Sequence, residues 1–156
     1  MPHNVEKTLA ELGVTLPTLA APVAAYVGFK KTGNLVIVSG QLPLKDGKPT
    51  LTGKLGAEVS TEQGYAAAQQ CGLNLLAHLK SALGGDWSKL VQVVRIGGFV
   101  ACVPEYTDAP KCINGASELM VKVFGDAGTH ARAAVGVASL PLNVPVEVEA
   151  MFEVRA

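Results

Sequence analysis

A single arginine, Arg132, stands in the segment Gly128-Thr129-His130-Ala131-Arg132-Ala133-Ala134-Val135, a run of small and β-branched residues that follows a glycine-rich turn. Read as a strand, the segment sends alternate side chains to opposite faces, so Arg132 shares its face with Ala134, Gly136 and Ala138. A long cation beside three tiny side chains leaves open volume next to a fixed positive charge, which is what a small-anion site needs. Guanidinium suits a planar carboxylate because it stays charged and offers two parallel N–H donors, a fork that lysine lacks. The competing reading is structural: Arg132 pairs with Glu147 or Glu149 on an adjacent strand.

The remaining candidates are weaker taken singly. Glu147 and Glu149 lie on the polar side of an alternating run and read equally as solvated carboxylates or as acid–base groups. If Glu147 enters a cleft, burial raises its pKa and a nearby arginine lowers it. Either protonation state can then serve, as a base for water or as an acid toward a leaving nitrogen. Ser39, in Ser39-Gly40-Gln41, needs a histidine base and an orienting acid to become a nucleophile. No histidine falls on an element that can be placed beside it, so a hydrolase triad is rejected. Gly40 instead lets the backbone approach a ligand. Tyr26 reads as a cleft residue or as packing at a strand start. His130 reads as an exposed turn histidine, with a proton donor at the rim of the arginine site as the alternative.

Cys71, Cys102 and Cys112 are odd in number and lack metal-type spacing, which fits buried free thiols in a reducing cytosol. The three histidines form no ligand pair, and no metal is expected. With 156 residues, 49% of them hydrophobic and 17% charged, the chain reads as a single domain over residues 1–156. Thirteen basic and thirteen acidic side chains give a formal charge of zero. A protein that works on phosphate backbones usually carries a basic stripe, so nucleic acid is not an expected partner. No apolar run reaches the roughly 18 residues that span a bilayer, and no signal peptide opens the sequence. No membrane partner and a cytoplasmic location are expected.

These residues must be positioned by elements that the patterning predicts. Residues 3 to 12 make a short amphipathic helix, followed by an extended surface connector from Leu16 to Pro22. Tyr26 to Lys30 and Leu35 to Gly40 read as strands joined at Lys31-Thr32-Gly33-Asn34, and Asp46-Gly47-Lys48-Pro49 as a second turn. Ser60 and Gln63 have capping-box spacing, and Ala68, Gly72, Leu75, Leu76, Leu79 and Leu83 form the buried stripe of the helix they open. Leu90 to Val103 reads as a strand buried on both faces, with Gly97-Gly98 marking a bulge or a close backbone approach. Asp108 caps a helix with the stripe Ile113, Ala116, Met120 and Phe124. Strands over 131–138 and 144–154 follow. The order predicts an α+β layer with two helices on one face of the sheet. Apolar surface left uncovered on the sheet would be buried by ring closure of a cyclic oligomer.

Taken in order, the motifs resemble the Rid/YjgF family of reactive-intermediate imine deaminases. Pro22 to Tyr26 with Val38-Ser39-Gly40-Gln41-Leu42-Pro43 is similar to the family's early tyrosine and Ser-Gly-Gln-x-Pro signature. Val100 to Val103 with Ile113-Asn114 is similar to its central strand and second-helix asparagine. Ala131-Arg132, Leu140-Pro141 and Val146-Glu147-Val148-Glu149-Ala150 resemble its C-terminal signature. The resemblance implies a chorismate-mutase-like fold, one mixed sheet with two helices on a face, with residues 1–21 as an N-terminal extension. It implies a homotrimer with clefts between subunits and no cofactor. In those clefts an arginine holds the carboxylate of a small imine while water hydrolyses it to a 2-keto acid and ammonia. On that pattern Arg132 anchors the carboxylate and Glu147 positions water. Tyr26 comes from the neighbouring subunit, Ser39 and the backbone around Gly40 contact substrate, and Asn114 is a structural hydrogen-bonding group. Ala133 and Ala134 depart from the family's serine and cysteine, so a cleft thiol is missing. A non-catalytic protein that binds a small carboxylate through the same arginine is the alternative. The endoribonuclease or translation-inhibitor label that some members carry is disfavoured by the neutral charge.

Overall fold

The alternating run at the C-terminus becomes the middle of a sheet. In the computed structural model, which describes residues 3–21 and 24–156, five strands form one mixed sheet: Phe29–Thr32 (β1), Leu35–Gln41 (β2), Leu90–Ala101 (β5), Ala131–Val137 (β6) and Val146–Val154 (β7). Their spatial order is β1-β2-β7-β5-β6. Only β5 and β6 run parallel; the other neighbours are antiparallel. In β7, Val146, Val148, Ala150, Phe152 and Val154 are buried, and the residues between them are partly exposed. That is the pattern of a strand covered on one side.

The cover is two helices, Thr61–Ala82 (α2) and Ala109–Phe124 (α3), as the order of elements predicts. The capping box opens α2: Ser60 Oγ accepts from the Gln63 backbone N–H, and the Gln63 side chain accepts from that of Ser60. Asp108 precedes α3 without a capping hydrogen bond and pairs with Lys111 at 3.3 Å instead. The two helices meet where side chains are missing. A Cβ on Gly115 of α3 would stand 2.0 Å from the Tyr65 carbonyl oxygen of α2. The N-terminal helix Val5–Glu11 (α1) buries Val5 and Leu9 beside α3, and its Glu6 receives Lys80 Nζ at 2.7 Å. The loop after β2 contains a small hairpin, Leu44–Lys45 (β3) with Lys48–Pro49 (β4). Its two-residue turn, Asp46-Gly47, has both φ angles positive.

Three expectations need correction. The first strand starts at Phe29, so Tyr26 precedes it; the β1–β2 ladder ends at the Phe29–Val38 pair, with one further backbone bond from Ser39 N–H to the Gly28 carbonyl. The Pro22 end of the connector lies outside the described residues. In β5 the register irregularities fall at Leu90/Gln92 and Val93/Arg95, and Gly97-Gly98 carries no bulge. The close-approach reading holds there, because a Cβ on Gly98 would stand 2.5 Å from Ile113 Cγ1. Nor is β5 buried on both faces: Val91, Gln92 and Arg95 are exposed. The face away from the helices is open and carries Ile37 (41% exposed) and Val135 (48%), with Met151 and Phe99 half-buried between them.

Candidate functional site

Arg132 lies on the edge strand β6, opposite Ile96 in the register, and Ile96 is buried under the helices. The arginine therefore faces the α3 side of the sheet. Its Nη1 donates to Asn114 Oδ1 at 2.8 Å and to Ser117 Oγ at 3.2 Å, two side chains one turn apart on α3. Ser117 Oγ also lies 2.9 Å from His130 Nε2, while His130 Nδ1 lies 2.6 Å from the Gly128 carbonyl oxygen. A carbonyl can only accept, so Nδ1 carries the proton. In the neutral ring Nε2 then accepts the Ser117 hydroxyl hydrogen, which leaves a serine lone pair for the arginine.

This chain holds one end of the guanidinium against α3. Among the described residues the Nε–Nη2 edge has no hydrogen-bond partner, and that edge is the bidentate one. His130 is thus half-buried and bonded, contrary to the exposed-turn reading. The reason is the turn before it: a Cβ on Gly128 would stand 2.2 Å from the Met120 carbonyl oxygen, so only glycine lets the turn press onto α3. Part of the open volume expected beside Arg132 is occupied, since Cys102 Sγ fills the space over Gly136.

The ion pair weighed as an alternative does not form. Glu149 pairs with Arg95 at 3.3 Å on the open face, and Glu147 shares that face. Glu147 belongs to a second group of candidates. Its Oε1 lies 2.6 Å from where a Gly40 Cβ would be, so any side chain at position 40 would displace the carboxylate. Burial, and then the charge of Glu149, push the Glu147 pKa up.

Beside Gly40, Ser39 is committed to structure: Oγ donates to the Val27 carbonyl at 2.7 Å and its N–H to the Gly28 carbonyl at 2.8 Å. A cleft of about 760 Å³ opens here, lined by Pro17–Ala21, Tyr26–Phe29, Ser39–Leu42 and His78. Tyr26 stands at its rim, 64% exposed. A histidine does therefore share a cleft with Ser39, contrary to the sequence reading. The serine's bond to Val27 is still no triad.

The candidates thus form two sets. Tyr26, Ser39 and Gly40 lie at β1–β2, with Glu147 of the central β7 against Gly40; Arg132 and Asn114, with Ser117 and His130, gather at β6. β7 and β5 separate β2 from β6, about 14 Å at the usual strand spacing, and β5 alone separates Glu147 on β7 from Arg132 on β6, about 10 Å. Arg132 and Glu147 also point to opposite faces. One chain does not bring them together. Sequence reasoning missed Ser117, which carries no local signal, and missed His78 as a cleft residue. Among the described residues no three His, Cys, Asp or Glu side chains cluster as metal ligands would, and no helix is long and apolar enough to cross a membrane.

Comparison with known proteins matches residues 6–154 to a family described as YjgF/chorismate mutase-like, whose description also carries an endoribonuclease label. Protein TCP17 of Trypanosoma cruzi is 42% identical over 97% of this chain and 95% of its own. The crystal structure of an Agrobacterium tumefaciens protein superposes with a TM-score of 0.91 at 48% identity, covering 97% of this chain and 94% of that one. A 2-iminobutanoate/2-iminopropanoate deaminase of Dermatophagoides farinae is 28% identical over 91% of this chain and 95% of its own.

Proposed function

Because the chain belongs to the YjgF/chorismate-mutase-like family, we propose that it hydrolyses small 2-imino or enamine acids to 2-keto acids and ammonia in a cleft between subunits, without a cofactor. The observation that carries this reading is the guanidinium of Arg132, pinned at Nη1 by Asn114 and Ser117 with its bidentate edge left for a carboxylate. The likeness to an imine deaminase over nine-tenths of the chain supports it. Arg132 fixes the substrate, and Glu147 of an adjoining copy, beside its Gly40, directs a water onto the C=N carbon. The water oxygen forms the new C–O bond as a proton goes to nitrogen, and the carbinolamine then expels ammonia. Such imines hydrolyse unaided, so orientation of two reactants is enough to accelerate the reaction.

A homotrimer supplies the missing half of each site, with Arg132 of one copy meeting Tyr26, Gly40 and Glu147 of the next through a head-to-tail contact that closes the ring. The open sheet face with Ile37, Val135, Phe99 and Met151 is the apolar surface such a ring covers. Light scattering is expected to give about three times the 16.1 kDa chain mass; a monomer with full activity overturns this part of the proposal.

The direct test generates 2-iminobutyrate in situ and follows 2-oxobutyrate above the spontaneous rate. Glu147→Gln is expected to lower kcat about 100-fold with little change in KM. If the carboxylate works as a base, the wild-type rate rises with pH through a pKa above that of an ordinary glutamate, and the variant loses that limb. Saturable binding of 2-oxobutyrate with no turnover would leave a carboxylate-binding protein.

A further inference from the structure

We propose that the cleft running from Tyr26 and Gly40 inward to His78 is a side-chain pocket, and that the acids it takes carry an extended chain ending in an uncharged hydrogen-bonding group, received by the His78 imidazole. The inference rests on the reading above and names its substrate class. Its first support is size: at about 760 Å³ the cleft has room for a ligand far longer than 2-iminobutyrate. The second is position, since the same cleft is lined by Tyr26, Ser39 and Gly40 at its rim.

The third support is the bonding of the polar groups on the β2 and α2 walls. Ser39 Oγ is spent on the Val27 carbonyl, and Gln41 donates through Nε2 to the Ser39 carbonyl at 2.9 Å. Asn74 Nδ2 donates to the Leu42 and Leu44 carbonyls at 2.9 and 3.1 Å, and its Oδ1 accepts from Gln70 at 3.2 Å. Those bonds fix the wall. His78, one turn beyond Asn74 on α2, is half-buried and makes no hydrogen bond among the described residues. Its ring is wedged into place: a Cβ on Gly28 would stand 2.2 Å from Cε1, and Phe29 packs edge-on with ring centroids 6.4 Å apart. Such a half-buried ring, wedged over a cleft and without a partner among the described residues, is available to bond a group on a ligand.

The chemistry of that group follows from the lining. Among the described lining residues none is charged, so a second carboxylate or an ammonium would be buried uncompensated. Burial also holds the imidazole toward its neutral form. Neutral imidazole donates at one nitrogen and accepts at the other, which suits a hydroxyl or an amide. A wholly apolar tail would leave the ring unpaired, and sites built to bond a hydroxyl discriminate strongly against the analogue without one.

The experiment compares two imines of equal length, formed by an amino-acid oxidase from 5-hydroxynorvaline and from norleucine. Wild type is expected to favour the hydroxyl-ended imine in kcat/KM by at least about 10-fold, and His78→Phe to bring the ratio to about one. His78→Leu, with a thermal melt for each variant, repeats the comparison should phenylalanine misfold. Equal wild-type rates, an unchanged ratio in a folded variant, or equal loss on both substrates each overturn the proposal. If neither imine is turned over, the hydrolysis reading has failed. Calorimetric binding of the two corresponding 2-oxo acids then decides the pocket alone: a His78-dependent preference for the hydroxyl supports it, and equal affinity sinks it.

Discussion

Replacing Arg132 by alanine is expected to reduce kcat/KM for 2-iminobutyrate by at least about 100-fold, to the level of spontaneous hydrolysis. Two charge-assisted hydrogen bonds to a carboxylate contribute about 3 kcal/mol together, and each 1.36 kcal/mol is tenfold in rate. Arg132→Lys is expected to recover little of it, because an ammonium supplies the charge without the planar fork. The variant that separates charge from aim is Ser117→Ala. It leaves the guanidinium and its Asn114 bond in place while cutting the link from Arg132 through Ser117 to His130 and Gly128. A loss of about 3- to 10-fold, carried mainly by KM, is expected there. An Arg132→Ala protein that retains wild-type turnover sinks the deaminase reading.

The largest effect on stability is expected at Gly115→Ala. The added methyl would meet the Tyr65 carbonyl oxygen at 2.0 Å and the Gln69 nitrogen at 3.0 Å, both backbone atoms within α2. No rotamer change relieves such a clash, so the helices must separate. That loosens the packing around Cys112, Ile113, Ala116 and Leu119, all buried. Overpacking costs typically 1–3 kcal/mol and more when backbone must move, so about 3 kcal/mol and a fall in Tm of about 6–12 °C are expected. The melt of Gly13→Ala makes the contrast, since Gly13 has nothing within 4 Å of its Cβ position. It has φ +70, so its cost is local strain only.

The sheet-and-helix content was legible wherever one face of an element meets the core. The β7 alternation, the stripes of α2 and α3 and the Ser60–Gln63 box are local patterns set by burial on one side, and local patterns survive in sequence. The order of the strands was not of that kind. Placing β7 between β2 and β5 depends on pairings between segments about fifty or more residues apart. For the same reason the sequence could put Arg132 and Glu147 in one list without revealing that they sit on opposite faces. His130 was misread because its partner, Ser117, reaches it only after α3 has docked. Serine in a helix carries no mark of that contact. His78 went unread because its meaning depends on Gly28 and the connector, both remote in sequence.

The placing of Arg132 and Glu147 on opposite faces of the sheet reaches beyond enzymology into heredity. Under the proposed ring, a chain that loses its arginine keeps its own glutamate sound and disables the pocket it shares with one neighbour. A chain that loses its glutamate does its harm in the pocket it shares with the other neighbour. Damage is then never private to the copy that carries it, and selection on either residue acts on pairs of chains. Two defective alleles, one for each residue, can complement in the same cell where either alone is silent.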